Sequence, residues 1–195
     1  LSENVNVCVE PTRRDTFPAI ALATAYLHDV LGVSRDDSVV VCPVDPYVNE
    51  DYFAAVSGWY HDHFDWDVKP EWLVKTPGVV FALAAAVRAY TEKGDTVLIQ
   101  QPVYYPFRQV IESNDRKLVS SDLVLKDGHY EIDFEDFEAK IKEHQIHLFL
   151  FCSPHNPVGR VWKEWELRKI GEICFKYQVT VVSDEIHSDF VYPGH

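Results

Sequence analysis

Two apolar runs, residues 146–151 and 179–183, flank a segment, 163–178, in which Leu167, Ile170, Cys174 and Tyr177 recur at helical spacing with charged residues opposite. Short apolar runs bounded by turn residues read as strands, and a 3.6-residue period reads as helix. A strand, a helix and a second strand in immediate succession form a βαβ crossover, the connection that parallel strands require. This stretch commits the chain to an α/β fold: a mostly parallel, doubly wound sheet with helices on both faces.

The rest of the chain agrees in kind. Further strands are expected at residues 39–41 and 96–100, and further helices at 18–31 and 134–144. After Pro77, the residues Val80, Leu83, Val87 and Tyr90 fall at helical spacing, and the other faces of that helix are also mostly apolar. This predicts a deeply buried helix with Gly94 as its C-terminal cap. The run at 179–183 is expected to be buried on both faces.

With 195 residues, 47% of them hydrophobic and 25% charged, the chain can bury a sizeable core. Its formal charge of -13 repels phosphate backbones and anionic bilayers, which argues against nucleic-acid and membrane partners. No apolar run approaches the roughly 20 residues of a membrane span, and residues 1–10 lack the order of a signal peptide, so a soluble, cytoplasmic protein is expected. Cys8, Cys42, Cys152 and Cys174 lie far apart and read as reduced thiols. His61 with His63, and His144 with His147, lack further ligands at a recognisable spacing, so no metal site is expected. Phosphate-loop, dinucleotide and hydrolase-elbow motifs are absent from the sequence. The absence of Met and the uncapped tail at 191–195 suggest part of a longer chain.

In open parallel sheets ligands bind beyond the carboxyl ends of the strands, which singles out residues 101–106, 153–160 and 184–187, together with the helix start at 76–80. Gly78, Val79 and Val80 offer free N–H groups and a positive dipole end suited to a phosphate, although Pro then Gly is also an ordinary helix start. Asp184 either caps the next element or pairs with a cation such as a pyridinium nitrogen. His187 is within reach of the same ligand, or else 184–189 is a solvated turn. Asn156, between Pro154 and Pro157, presents its amide from a rigid loop or makes an Asx turn. Tyr104 offers a flat face to a ring, or is a half-buried core residue.

Four segments in this order, Thr-Pro-Gly-Val-Val at 76–80, Pro-Val-Tyr-Tyr-Pro-Phe at 102–107, Ser-Pro-His-Asn-Pro-Val-Gly-Arg-Val-Trp at 153–162 and Ser-Asp-Glu-Ile-His-Ser-Asp at 183–189, are specific in combination. Together they resemble the fold type I pyridoxal-phosphate enzymes, class I/II aminotransferase-like, and within them the cystathionine β-lyase group of the MalY/PatB type. The resemblance covers residues 52–195. It implies a pyridoxal 5′-phosphate cofactor whose phosphate is held by the amides at Gly78, Val79 and Val80 and whose ring stacks on Tyr104. It implies further that Asn156 and His187 hydrogen-bond the ring hydroxyl oxygen, and that Asp184 pairs with the ring nitrogen and keeps the ring an electron sink. Residues 1–48 would belong to a small domain and 49–195 to the amino-terminal part of the large, cofactor-binding domain.

Two departures accompany the resemblance. The family's Schiff-base lysine lies downstream of the Asp-Glu-Ile-His segment, whereas the last lysine here is Lys176, and the family's substrate-clamping arginine lies in a carboxy-terminal small domain. This chain alone is therefore expected to be inactive. At the amino end the family's Gly-Tyr-Thr type segment is not reproduced, with Tyr47 the one substitute in the region. The implied function is a carbon–sulfur β-lyase, a homodimer, converting cystathionine or a cysteine S-conjugate to thiol, pyruvate and ammonia. The rivals are an aminotransferase on the same fold and a non-catalytic fragment or homologue.

Overall fold

The computed structural model describes residues 50–74 and 76–192. Helix α1 (Glu50–Phe64) and a 3-10 turn (Pro70–Trp72) precede α2 (Val79–Tyr90). There follow β1 (Thr96–Ile99), α3 (Pro106–Glu112), β2 (Lys117–Ser120) and an antiparallel hairpin of β3 (Val124–Lys126) and β4 (His129–Glu131). The chain continues through α4 (Phe134–Glu143), β5 (Leu148–Cys152), α5 (Glu164–Lys176), β6 (Thr180–Asp184) and a 3-10 turn (Ser188–Phe190). From Tyr52 onward these elements form one compact unit.

Four strands make a wholly parallel sheet in the order β2, β1, β5, β6. Val97 lies beside Leu118 on one side and Leu148 on the other, and Leu148 through Cys152 run alongside Thr180 through Asp184. Side chains alternate along a strand, so β1 and β5 each feed two cores. Val97, Ile99, Leu148, Leu150 and Cys152 meet Leu83 and Val87 of α2 and Phe107, Val110 and Ile111 of α3. Leu98, Phe149 and Phe151 turn the other way, onto Phe137 and Ile141 of α4 and Ile170, Ile173 and Cys174 of α5. Cover on both faces is why β5 reads Leu-Phe-Leu-Phe-Cys without a polar residue, and each such fully buried side chain contributes roughly 1.5–3 kcal/mol of transfer free energy.

Helix ends on the second face are fixed by side chains. The Asp133 carboxylate accepts from the N–H groups of Glu135 and Asp136 at the start of α4, and Glu166 accepts from the Lys163 N–H at 2.8 Å at the start of α5.

The expected runs at 96–100, 146–151 and 179–183 appear as β1, β5 and β6, displaced by one or two residues, and the crossover through α5 joins parallel strands. Strand β2 and the hairpin were not expected, because Lys-Leu-Val-Ser and the three-residue strands are too short and too exposed to carry a period. Helix α2 is less buried than its composition predicts. Leu83 and Val87 reach the core, but Phe81 and Tyr90 are 57% and 58% exposed. Gly94 does not cap it: the helix ends at Tyr90 with Thr91 as its C-cap, and Gly94, at φ 90°, makes the turn into β1 and donates its N–H to the Asp115 carbonyl at 2.8 Å. On α5, Leu167 is exposed and Ile173 takes its place in the core. Strand β6 is not buried on both faces, since it edges the described sheet and Val181 is exposed. The expected helix at 18–31, the strand at 39–41, Tyr47, Cys8, Cys42 and the segment 1–48 lie outside the described residues.

Candidate functional site

From β1 the chain moves to β2 on one side, while the next strand of the sheet, β5, joins β1 on the other. The loops leaving β1 and β5 therefore part in opposite directions, and a crevice opens between them at the carboxyl edge of the sheet. The Tyr104 N–H, in the first loop, donates to the Asn156 carbonyl, in the second, at 3.0 Å. Parallel register brings the last residues of β5 and β6, Cys152 and Asp184, side by side.

A cavity of about 400 Å³ occupies this crevice, lined by Val79, Val80, Tyr104, Cys152, Asn156, Asp184, Ile186 and His187. Six of the seven residues singled out in the sequence are thus brought together from four separate segments. The seventh, Gly78, sits just outside as the N-cap of α2, its carbonyl accepting from the Ala82 N–H at 3.0 Å. No side chain caps α2, so the N–H groups of Val79 and Val80 stand at the cavity without a helical partner. Tyr104 is partly exposed, with Tyr105 edge-on to it at 5.2 Å between ring centroids.

Asp184 is the charged group of the cavity. It is only 6% exposed, its Oδ1 accepts from the Ile186 N–H at 3.1 Å, and its carboxylate makes no ion pair among the described residues. The Asp184 carbonyl accepts from the Ser153 N–H at 3.0 Å, tying β6 to the start of the Asn156 loop. His187 caps the following 3-10 turn, 6.3 Å from the Phe190 ring. It also borders a second cavity of about 750 Å³, shared with Asn156 and bounded by His129, Arg160 and Tyr192.

The Asn156 loop is braced from behind. One Nη of Arg160 reaches both carboxylate oxygens of Glu166 at 2.7 Å, its other Nη donates to the Tyr130 carbonyl, and its guanidinium lies 4.8 Å from the Trp162 ring centroid. The Trp162 indole N–H in turn donates to the Cys152 carbonyl at 3.0 Å. Cys152 and Ile186 are lining residues that sequence reasoning missed. The signal for Cys152 was its place at the carboxyl end of an apolar run, in phase with Leu148 and Leu150. Burial, with the Asp184 carboxylate adding to it, pushes the Cys152 thiol up, while the Asn156 N–H opposes the shift.

A parallel sheet with helices on both faces, and a cavity at its switch point that gathers Asn156, Asp184 and His187 on a mostly apolar lining, defines a ligand-binding α/β domain. The family model described as aminotransferase class I and II matches residues 5–195, and the chain belongs to that family. It is 50% identical over 141 residues to cystathionine beta-lyase PatB of Bacillus subtilis, covering 72% of this chain and 36% of that protein. It is 30% identical to Protein MalY of Escherichia coli, covering 91% of this chain and 43% of that one. Among solved structures, cystalysin from Treponema denticola, which contains pyridoxal 5′-phosphate, matches with a TM-score of 0.73 and 44% identity over 80% of this chain and 39% of its own. The chain thus spans about two fifths of the length of these relatives.

Proposed function

We propose that this chain is the cofactor-binding part of a pyridoxal-phosphate-dependent carbon–sulfur β-lyase, with residues 1–48 belonging to a small domain and 49–195 to the large one. The observation that carries the reading is Asp184. A carboxylate this buried, facing a cavity with no cationic partner among the described residues, bears a desolvation penalty that a bound cation offsets. A protonated pyridine nitrogen is such a cation, and a ring of that kind fits a cavity of about 400 Å³.

The other lining groups suit the rest of that cofactor. The free N–H groups of Val79 and Val80, at the positive end of α2, bind its phosphate, with Gly78 completing the turn into them. Tyr104 covers a face of the ring, and Asn156 and His187 donate to its hydroxyl oxygen. Asp184 holds the ring nitrogen protonated. Pyridoxal phosphate, when bound, supplies an electron sink for a carbanion at the amino acid Cα. The net reaction is that of a thioether amino acid with water, in which the Cβ–S bond breaks and thiol, pyruvate and ammonia are released. These residues bind and tune the cofactor.

The subunit is proposed to work as a homodimer, a reading supported by the exposed Phe81 and Tyr90 on α2, and in the cytoplasm, supported by the unpaired thiols Cys152 and Cys174. Among the described residues no helix is long and apolar enough to cross a membrane. An aminotransferase is the second reading, favoured by the description of the matching family. A product assay separates them. The whole protein should release pyruvate, ammonia and a thiol from cystathionine without a keto acid, and activity that appears only with a keto acid and frees no thiol makes the second reading correct.

A further inference from the structure

His155 is the residue between the two loops that the proposed chemistry does not use. It is 1% exposed, yet it carries two ring nitrogens into that interior. Its Nε2 lies 3.0 Å from the Pro102 carbonyl, across 53 residues of chain. A carbonyl only accepts, so Nε2 bears the proton and Nδ1, which has no hydrogen-bond partner among the described residues, is the lone-pair nitrogen. Burial pushes the imidazole pKa down, in keeping with a single ring proton.

The backbone of His155 is committed as well. Its N–H donates to the Arg160 carbonyl and its own carbonyl accepts from the Gly159 N–H, both at 2.8 Å, closing the loop that presents Asn156. The ring stands edge-on to Trp162 at 5.5 Å, and that indole is itself fixed to the Cys152 carbonyl. His155 therefore belongs rigidly to the β5 loop, and its one free donor is spent on the β1 loop, two residues before Tyr104. The Tyr104 N–H to Asn156 carbonyl bond is the other rung between the same loops.

We infer that His155 is a positioning residue for the proposed cofactor site: through Nε2–H it latches the loop bearing Tyr104 to the loop bearing Asn156, and so sets the spacing of the two side chains that hold the ring. The inference rests on the reading given under Proposed function. Without the donor, the Pro102 carbonyl and the Tyr104 rung lose their anchor, and a ring bound between the two loops must order them itself.

The test uses the whole protein carrying this chain, stripped of cofactor, with pyridoxal 5′-phosphate as the probe. His155→Gln keeps a donor near the Nε2 position, whereas His155→Asn ends near Nδ1 and His155→Leu has no donor. Affinity should fall about tenfold in the Asn and Leu variants and stay near wild type in the Gln variant. Amide exchange at Tyr104, read without cofactor, should quicken in the first two and not in the third. If Gln fares no better than Asn, or if Asn and Leu leave Tyr104 exchange and affinity unchanged, the latch is overturned. Where Leu does not fold, the Gln and Asn pair decides alone. A wild-type protein that binds no pyridoxal phosphate refutes the cofactor reading instead, and Tyr104 exchange still judges the latch.

Discussion

Cys152 and Asp184 are register partners at the carboxyl ends of adjacent parallel strands, and both line one cavity. A thiol and a carboxylate in one buried row, with no cation between them among the described residues, is an arrangement that invites a positively charged ligand. It also makes the two residues separable probes of the same space.

If Asp184 holds the ring nitrogen as proposed, Asp184→Ala in the whole protein should lower turnover by at least about a hundredfold, because the charge matched to the ring is removed. The thermal midpoint should hold, since the carboxylate makes one hydrogen bond and no ion pair among the described residues. Turnover close to wild type, measured beside the melting curve, would sink the assignment.

Alkylation reports on the cavity directly. Burial pushes the Cys174 thiol up to about 12 and the Cys152 thiol up in the same sense, so both should label slowly at pH 8 in the folded protein. Raising the pH should quicken Cys152, and pyridoxal phosphate should protect Cys152 while leaving Cys174 unchanged. Peptide mapping after timed iodoacetamide exposure reads both sites.

The brace behind the Asn156 loop should be a stability element. Glu166 has a side chain only 3% exposed and paired to Arg160, so Arg160→Met strands a buried carboxylate and should cost about 3 kcal/mol in urea unfolding. Adding Glu166→Met should recover much of that loss. A single variant as stable as wild type would mean the pair contributes nothing.

Acid should destabilise the domain through His155. The folded-state pKa is lowered by burial below the roughly 6.5 of a free imidazole, so the unfolded chain binds the proton more readily. The contribution is complete above that free value and is lost as pH falls toward the folded pKa. His155→Gln should flatten this limb of stability against pH, and an unchanged limb would place the acid sensitivity elsewhere.

Much of this was legible because α/β periodicity is local. The run 146–151 and the amphipathic segment 163–178 predict β5, α5 and their parallel partner without any tertiary information. The cavity residues were legible for a different reason: strand ends follow from strand positions, and four short segments resemble one family. What escaped was set by neighbours. Lys117–Ser120 becomes β2 only because the Lys117 N–H meets the Asp95 carbonyl at 2.7 Å and Thr96 gives it a register. Tyr90 was expected in the core and is exposed, because composition does not say which face of a helix is left uncovered. His155 drew no reading of its own beyond its place in the 153–162 segment, since its partner lies 53 residues away.

The alternation that feeds two cores has a cost in fidelity. In a sheet with one wet face, a one-residue slip exposes apolar side chains and is rejected by water. Here a slip of β5 against β1 would exchange Leu148 and Leu150 for Phe149 and Phe151, one oily face for another, and solvent would not object. Rejection of the wrong pairing falls to shape, a leucine in a phenylalanine's place, and to bonds just past the strand ends. Ser153 to Asp184, His155 to Pro102 and Tyr104 to Asn156 can all form in one alignment only. The loops that build the cavity are thereby the proofreaders of the sheet beneath them, so a variant chosen to retune the site risks mispairing strands it never touches.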